Sequence, residues 1–493
     1  MNDSNVTIEF DGLDFRQDTE PLIKEFYPQL IAPRPVNLFF KTEENRMSIS
    51  LRSADIETMR EQPQTDEISL AEEFISESTG KQRHREYRNQ LLRALYRVLH
   101  EATGKNLPWG ILTGVRPTKL IFERIERGEA GHLRFMEDHY LVSREKAALA
   151  TGIAAVEYQL LDSIDFKNGY SLYVGMPFCP SICNYCSFGS HPIDRFGDSV
   201  EPYIEALKKE LRYAATCFPK RKLETVYFGG GTPTSVSAEQ LRDLIHCVKE
   251  SFDMSNVREF TVEAGRPDSI TAEKLEMLKE EKISRISINP QSMVQRTLDA
   301  IGRKHTTGQI IEAFKLARGL GFDNINMDLI AGLTGENIND FRYTLSELEK
   351  LDPDSITVHT LARKRTARLT TESELYEGMD ATDVALMVDT AAEFMKAHGY
   401  YPYYMYRQKN MTDNLENVGY AKKGKEGLYN ILIMEEKQMI LACGSGASSK
   451  FVRDNGDKRF ERVENVKNVH EYISRIDEMI ARKRDYIAVN NIE

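Results

Sequence analysis

Short runs of β-branched and aromatic residues alternate with longer amphipathic stretches from about residue 170 onward. The runs are SLYVG at 171, ETVYF at 224, EFTVE at 259, RISIN at 285, NINMDLI at 324 and SITVH at 355. Between the first two runs, Ile204, Leu207 and Leu211 have the spacing of one face of a helix. Strands that alternate with helices are typical of a parallel sheet. The pattern therefore predicts an α/β fold built on a partial, open (β/α)6 barrel of the TIM type.

The first 165 residues have a different pattern, which mixes α and β features. The segments NVTIEF, VNLFF and MSISL read as strands, and the charged turn between the last two predicts a hairpin. Leucines and valines recur at helical spacing from Glu86 to Ala102, and Gly104 is placed to end that helix. We therefore predict an N-terminal α+β domain before the barrel and a C-terminal α+β domain after it. The predicted domain bounds are 1–165, 166–365 and 366–493.

Composition narrows the class of protein. Of the 493 residues, 41% are hydrophobic and 29% charged, and no apolar run approaches the roughly 18 residues of a membrane span. The first thirty residues hold several acids and no apolar block, so we expect a cytoplasmic protein without a secretory signal. Six cysteines are too few for a disulfide framework. The net charge of −11 argues against a nucleic-acid partner and favours small-molecule chemistry.

Three cysteines follow the first predicted barrel strand with the spacing C-x3-C-x2-C: Cys179, Cys183 and Cys186. A zinc site normally has four ligands in two separated pairs, so His191 would have to complete it. A buried, inert group of three thiols would be a redox liability. In an iron-sulfur cube, three cysteines leave one iron open to an exogenous ligand. The spacing therefore favours a cluster that binds a cofactor.

The other predicted strands also end in polar or glycine-rich sequence. They lead into GGGTPT at 229–234, Glu263, Gln291, the segment that carries Asp328, and His359. In parallel α/β sheets the chemistry collects beyond the carboxyl ends of the strands. Taken singly, each of these residues has the ordinary explanation of a solvated strand end or a structural ion pair. Their joint placement beside the cysteine loop predicts one site.

The cysteine loop, its place after the first strand and the glycine run together resemble the radical S-adenosylmethionine superfamily. The resemblance implies a [4Fe-4S] cluster on Cys179, Cys183 and Cys186, with S-adenosylmethionine (SAM) on the fourth iron. It also implies that Tyr173 and Glu263 have catalytic roles. The residues expected to contact SAM are Tyr173, Gly229, Gly230, Gly231, Thr232, Glu263, Gln291, Arg303 and Asp328.

More specifically, VYFGGGTPT, TVEAGRP, INPQSM, IGRKHT and NMDLIAGLTGE resemble the coproporphyrinogen III dehydrogenase-like branch of that superfamily. The N-terminal motif WGILTGVRPTKL and the tail YMYRQKNMTDNLENVGYA resemble its HemZ-type group. This resemblance implies oxygen-independent oxidative decarboxylation of coproporphyrinogen III to protoporphyrinogen IX, with electrons from a low-potential donor such as a flavodoxin or ferredoxin. Arg363, Arg365 and Arg368 are candidates for binding the propionates of the tetrapyrrole, because arginine forks suit carboxylates. A solvated basic turn is the alternative.

Two positions depart from the best-characterised dehydrogenases of this branch. Phe188 stands where they have a further cysteine, and Gly175 stands where they have a histidine. Relatives that bind haem without making protoporphyrinogen share these departures in part. Two alternatives therefore stay open: a haem chaperone that retains the cluster, and a radical SAM enzyme that methylates or opens haem.

Overall fold

The computed structural model describes residues 5–12, 14–32, 34–43, 46–53, 64–69, 81–186, 189–361, 381–407, 415–453 and 459–492. The candidate substrate residues Arg363, Arg365 and Arg368 lie outside these ranges, so their role stays a prediction. The chain forms two compact units. The first comprises residues 1–152 with two short segments near residues 407 and 415, and the second comprises most of residues 153–493.

The N-terminal unit contains a four-stranded sheet and several helices. Its strands, adjacent in chain order, are β1 (Val6–Asp11), β2 (Val36–Glu43), β3 (Arg46–Ser53) and β4 (Gln64–Ser69). Its helices are α1 (Arg16–Phe26), α2 (Lys81–Thr103), α3 (Thr118–Glu126) and α4 (His132–Tyr140), after which the chain passes through α5 (Arg144–Leu161). The predicted hairpin is confirmed, since β2 and β3 pair antiparallel. The predicted helix lies within α2, and Gly104 follows it with a φ of 68°.

Among the residues that the structure describes, the second unit is organised around one sheet of eleven strands. The elements up to the sixth barrel strand are β5 (Gly169–Met176), β6 (Phe178–Cys179), β7 (His191–Pro192), β8 (Lys222–Gly230), β9 (Glu259–Glu263), β10 (Arg285–Ser287), β11 (Ile325–Ala331) and β12 (Ser355–Thr360). The helices between them are α6 (Ile193–Phe196), α7 (Val200–Ala214), α8 (Ala238–Ser251), α9 (Ala272–Glu280), α10 (Gln295–Ala300), α11 (Thr307–Gly319) and α12 (Ile338–Leu351).

The six predicted barrel strands are adjacent and parallel, in the order β5-β8-β9-β10-β11-β12. Strands β5 and β11 are buried along most of their length, as expected when helices cover a parallel sheet. Capping boxes begin α8, α11 and α12, so side chains satisfy the free N–H groups of those first turns. The predicted α/β fold with an open parallel sheet is confirmed.

The last quarter of the chain extends the same sheet at both ends. The elements are α13 (Ala381–Ala397), β13 (Tyr401–Tyr406), β14 (Asn417–Ala421), α14 (Leu428–Glu435), β15 (Met439–Cys443), β16 (Ser448–Arg453), β17 (Arg459–Glu464), α15 (Val469–Ser474) and α16 (Ile476–Val489). Strand β14 pairs antiparallel with β12, and β15 pairs parallel with β5. Much of the segment predicted as a C-terminal domain thus shares its sheet with the barrel.

Strand β15 therefore occupies the outer edge of the first barrel strand. A buried chain of hydrogen bonds links the strands there: the Thr225 hydroxyl donates to Ser171 Oγ at 2.8 Å, and the Ser171 hydroxyl donates to Gln438 Oε1 at 2.9 Å. Among the residues with described coordinates, no helix has the length and apolarity needed to cross a membrane.

Candidate active site

The cysteine loop lies directly against the glycine run that follows β8. The Gly231 N–H donates to the Met176 carbonyl at 2.6 Å, and the Thr232 N–H donates to the Phe178 carbonyl at 2.7 Å. The Thr232 hydroxyl lies 3.4 Å from Cys179 Sγ. Because β5 and β8 are parallel neighbours, the segments after them meet at one edge of the sheet. The structure thus brings together two of the predicted motifs.

The glycines are required by this close approach. Gly230 has a φ of +108°, which side chains rarely allow. A Cβ atom on Gly231 would lie 2.6 Å from the Phe178 carbonyl oxygen, and one on Gly229 would lie 2.8 Å from the Tyr227 ring. The sequence interpretation attributed these glycines to approach by the cofactor. The structure adds a second reason, which is contact with the chain's own cysteine loop and with the Tyr227 ring.

The three cysteines differ in burial. Cys183 is buried, whereas Cys179 and Cys186 are partly exposed. Burial raises the pKa of Cys179 to about 11, although the Thr232 hydroxyl opposes that shift. Within the described part of the chain, no three His, Cys, Asp or Glu side chains converge on a point where one metal ion could bind. A four-iron cube takes each cysteine on a separate iron and does not need such convergence.

A wall of tyrosine rings stands beside Glu263. The Tyr227 and Tyr429 rings stack with centroids 4.4 Å apart, and Tyr173 stacks on both at 6.2 and 6.3 Å. The Tyr227 hydroxyl donates a short hydrogen bond to the Glu263 carboxylate. Burial raises the pKa of Glu263 to about 7, and the hydrogen bond from Tyr227 opposes that shift. This carboxyl group can therefore change its charge near neutral pH.

Sequence reasoning did not identify Tyr429, which comes from α14 near the end of the chain. Its position is fixed because the Leu428 and Tyr429 N–H groups donate to the Glu259 carboxylate at 2.6 and 3.1 Å. That carboxylate caps the first turn of α14. No local pattern in the sequence connects residue 429 with residue 173, so this contact had no signal to reveal it.

Gln291 and Arg303 each present a buried polar atom to the site. Gln291 is 7% exposed, has a φ of +66° and bridges to β11, where its N–H donates to the Asp328 carbonyl at 2.9 Å. Its side-chain Oε1 has no hydrogen-bond partner among the residues that the structure describes. Arg303 is 5% exposed and donates to the Asn289 carbonyl, while its Nε lacks a partner within the same residues. Such atoms fit a polar ligand.

Asp328, on β11, lies between the side chains of Asn326 and His359, which belong to the same sheet. Its Oδ1 accepts from Asn326 at 2.7 Å, and its Oδ2 is 3.8 Å from His359 Nε2. Burial would raise the pKa of Asp328, but the neighbouring His359 and the hydrogen bond from Asn326 outweigh burial and hold it below its usual range. The His359 Nδ1 is in turn 3.2 Å from the Tyr406 hydroxyl. An ionised Asp328 can accept hydrogen bonds from ligand hydroxyl groups.

Gly175, one of the two departures noted in the sequence, packs against the turn after β15. A Cβ atom there would lie 3.3 Å from the Cys443 carbonyl oxygen and 3.4 Å from the Tyr173 ring. The Gly175 carbonyl accepts from the Tyr203 hydroxyl at 2.7 Å. A histidine at this position would require the turn or the ring to move. The other departure, Phe188, lies outside the described residues.

The structure also shows a buried arginine beside the cysteine loop that sequence reasoning missed. Arg266 donates to Cys183 Sγ at 3.4 Å and pairs with Asp268 at 2.6 Å. Asp268 in turn lies 3.7 Å from His305. The motif TVEAGRP contributes to the family resemblance, but nothing in that local pattern indicates that Arg266 contacts Cys183.

These features fit the groups that a radical SAM site holds. Three thiols on one loop can ligate three irons of a cube. The glycine run, the buried atoms of Gln291 and Arg303, and the carboxylates of Glu263 and Asp328 lie on neighbouring strands or on the segments that follow them. They offer both acceptors and a cation to a ligand that carries amino, carboxylate and hydroxyl groups.

Comparison with known proteins identifies the family of the chain. A sequence model of the Radical SAM superfamily matches residues 173–348. The oxygen-independent coproporphyrinogen-III oxidase-like protein HemZ of Bacillus subtilis (strain 168) is 43% identical over 424 residues, which are 84% of this chain and 84% of that protein. The heme chaperone HemW of the same organism is 32% identical over 315 residues, 62% of this chain and 76% of that protein.

A solved structure shares the fold. Coproporphyrinogen III oxidase (HemN) from Escherichia coli, described as a radical SAM enzyme, superposes with a TM-score of 0.52 at 22% identity, over 67% of this chain and 73% of that one. The predicted family is confirmed by the sequence relationship. The chain belongs to the oxygen-independent coproporphyrinogen-III oxidase-like, HemZ-type group of the radical SAM superfamily.

Proposed function

We propose that this protein is a radical SAM oxidoreductase that converts coproporphyrinogen III to protoporphyrinogen IX without oxygen. The observation that carries the proposal is the packing of the cysteine loop against the glycine run after β8, where the Thr232 hydroxyl lies 3.4 Å from Cys179 Sγ. The relationship to a coproporphyrinogen-III oxidase-like protein supports the choice of substrate.

Membership in the superfamily implies a [4Fe-4S] cluster and SAM. Cys179, Cys183 and Cys186 would hold the cluster. When bound, the cluster and SAM supply one-electron reduction and the abstraction of a hydrogen atom from an unactivated carbon. The protein's task is to orient the bound groups and to keep water away from them.

Each proposed SAM contact follows from the charge and position of the side chain. The Arg303 guanidinium suits a carboxylate, the Glu263 carboxylate suits an ammonium group, and the Asp328 carboxylate suits ribose hydroxyls. Gln291 Oε1 would gain the hydrogen bond that it lacks within the described residues. The tyrosine wall of Tyr173 with its two stacked neighbours would exclude water on the side of Glu263.

The proposed overall reaction balances for each propionate. The side chain loses carbon dioxide, one hydrogen atom and one electron, and it becomes a vinyl group. The hydrogen atom is taken by the cofactor chemistry, and the electron passes to an external acceptor. A low-potential donor such as a flavodoxin or ferredoxin would reduce the cluster. We propose a tetrapyrrole as the substrate and no nucleic-acid partner.

The first test is an anaerobic assay of the reconstituted full-length protein. Reductant, SAM and coproporphyrinogen III are added, and 5′-deoxyadenosine and protoporphyrinogen are measured together. Both products are expected from the wild type. Cys179→Ala, Cys183→Ala and Cys186→Ala should abolish both, whereas Cys217→Ala, a partly buried cysteine outside the loop, should retain them. Undiminished 5′-deoxyadenosine in a loop variant would rule the cluster assignment out.

A haem-binding role is the second candidate. It is favoured by the relationship to heme chaperone HemW and by Gly175, which leaves the protein without the histidine that the better-characterised dehydrogenases have. A chaperone would bind haem tightly through an axial ligand and would turn over no porphyrinogen. Formation of 5′-deoxyadenosine without protoporphyrinogen would instead point to haem as a substrate, and modified haem would then be sought as the product.

A further inference from the structure

A buried arginine binds the cysteine loop both at Ser181 and at its second cysteine, Cys183. Arg266 follows β9 and is 3% exposed. Its Nη1 lies 3.4 Å from Cys183 Sγ and 3.1 Å from the Ser181 carbonyl oxygen, and its Nη2 lies 3.0 Å from Ser181 Oγ. One guanidinium thus bonds both the backbone before the cysteine and the sulfur atom itself.

The remaining donors of the guanidinium are held by a carboxylate. Arg266 Nε donates to Asp268 Oδ1 at 2.9 Å, and Nη2 donates to Asp268 Oδ2 at 2.6 Å. The fully buried His305 places its Nδ1 3.7 Å from Asp268 Oδ1. This two-bond fork fixes the plane of the guanidinium, because a planar arginine and a carboxylate match in geometry.

The same part of the loop is also tied to the segment before His305. The Asn184 N–H donates to the Ile301 carbonyl at 3.0 Å, and its side chain donates to the Ala300 carbonyl at 2.9 Å. The Ser181 hydroxyl donates to the Gly302 carbonyl at 3.3 Å. Residues 181–184 are therefore held between two segments, and Cys183 is the loop cysteine that is buried among them.

We propose that Arg266 is a positioning residue that tunes the cluster, and that its ion pair with Asp268 holds it in place. The proposal rests on the cluster assignment in the proposed function. A donor and positive charge at a ligating sulfur stabilise the reduced cluster, which carries one more negative charge than the oxidised cluster. Arg266 thereby makes the cluster easier to reduce through its hydrogen bond to Cys183, one of the three cysteine ligands.

The test compares reduction potentials of full-length, anaerobically reconstituted proteins, measured by electron paramagnetic resonance during redox titration. Arg266→Gln removes the charge, and Arg266→Lys keeps the charge but cannot form the fork. In Arg266→Gln, the ratio of reduced to oxidised cluster at a fixed potential should fall about tenfold, which corresponds to about 59 mV for one electron. Arg266→Lys should shift the ratio in the same direction by less.

The matched control is Arg285→Lys. Arg285 is equally buried at 3% exposure, but it bonds Asn324 and Ser355 rather than the cysteine loop. The reduction potential of the cluster in Arg285→Lys should equal that of the wild type. If Arg266→Gln does not retain a four-iron cluster, the reduction potential of Arg266→Lys tests the proposal instead. A wild-type potential in Arg266→Gln, or in Arg266→Lys if only that variant keeps its cluster, would overturn the proposal. A wild type that binds no cluster would instead overturn the proposed function.

Discussion

Gln291 shows what the site requires of single residues. Its backbone has a φ of +66°, and its buried Oε1 has no hydrogen-bond partner among the described residues. A left-handed conformation costs a residue with a side chain about 1–2 kcal/mol, and an unsatisfied buried polar atom costs about 1–3 kcal/mol. The backbone of Gln291 bridges to β11 in this conformation, and the unsatisfied Oε1 supports the proposal that its side chain binds a ligand.

Gln291→Gly removes both the cost of the left-handed conformation and that of the unsatisfied Oε1. Glycine in turn adds about 1 kcal/mol of chain entropy in the unfolded state. The variant without cofactors should therefore be at least as stable as the wild type towards urea. The reconstituted variant should nevertheless bind SAM more weakly, because the ligand loses an acceptor. A clear loss of stability, or unchanged SAM affinity measured by equilibrium dialysis, would contradict this prediction.

From the raised pKa of Glu263 we predict that the stability of the protein depends on pH. Burial raises its pKa from the ordinary 4.5 to about 7, so between these values the folded protein holds a proton that the unfolded chain releases. The stability that this proton contributes is fully present below about pH 4.5 and is lost as pH rises through 7. In Glu263→Gln the group is neutral at every pH. The variant should therefore gain up to about 3 kcal/mol relative to the wild type between pH 5 and 8.

Urea unfolding of the protein without cofactors at both pH values measures this difference. Glu276→Gln, on the exposed side of α9, serves as the control and should show the pH dependence of the wild type. If Glu263→Gln shows that same dependence, the carboxyl group does not titrate near neutral pH.

At the residue level, the sequence indicated the groups that are encoded locally. The cysteine spacing and the glycine run are readable because each lies within a few consecutive residues. Arg266 and Tyr429 could not be found in this way, since their roles depend on contacts with residues 83 and 256 positions away along the chain. A turn arginine and a helix-start tyrosine look the same whether or not they reach an active site.

At the level of elements, the six barrel strands were predictable because each is a compact β-branched run between amphipathic helices. The strand that pairs with the outer edge of β5 was not predictable in this way. Strand β15 pairs with it across more than 260 residues, and its sequence MILAC would suit any buried strand. Local pattern specifies that a strand exists, whereas the neighbour is chosen by edges that need hydrogen-bond partners.

Helix α16 is joined to α7 by a fully buried ion pair. Lys483 Nζ lies 2.5 Å from Glu210 Oε1, and both side chains are completely buried. Lys483→Met would leave a buried carboxylate without its cation, and we expect a loss of at least about 3 kcal/mol. Arg482→Met, which removes the adjacent and half-exposed partner of Glu478, should cost less than about 1 kcal/mol. Similar losses in the two variants, measured by urea unfolding, would contradict the assignment.

At the scale of the whole molecule, the chain carries a separate probe for each compact unit. Trp109 is the single tryptophan, and it is 1% exposed in the N-terminal unit. All six cysteines lie in the second unit, where Cys443 is fully buried. Tryptophan emission therefore follows the first unit, and thiol labelling of Cys443 follows the second.

We predict that the two probes give unfolding transitions that do not coincide, because separate units need not unfold together. SAM added to the reconstituted protein should raise the midpoint of only the unfolding transition that Cys443 reports, since a ligand stabilises the unit that binds it. Labelled peptides quantified by mass spectrometry provide the thiol measurement. Coincident curves that move together with SAM would show a single cooperative structure.

The pairing of β15 with β5 also sets an order for maturation. The ribosome makes β5 and the cysteine loop first, and the partner strand and Gln438, which accepts from Ser171, follow more than 260 residues later. Until then the nascent protein has thiols beside an unpaired strand edge. We therefore expect iron and sulfide to be inserted only after β15 has been made, and nascent chains stalled before residue 438 to hold no stable cluster.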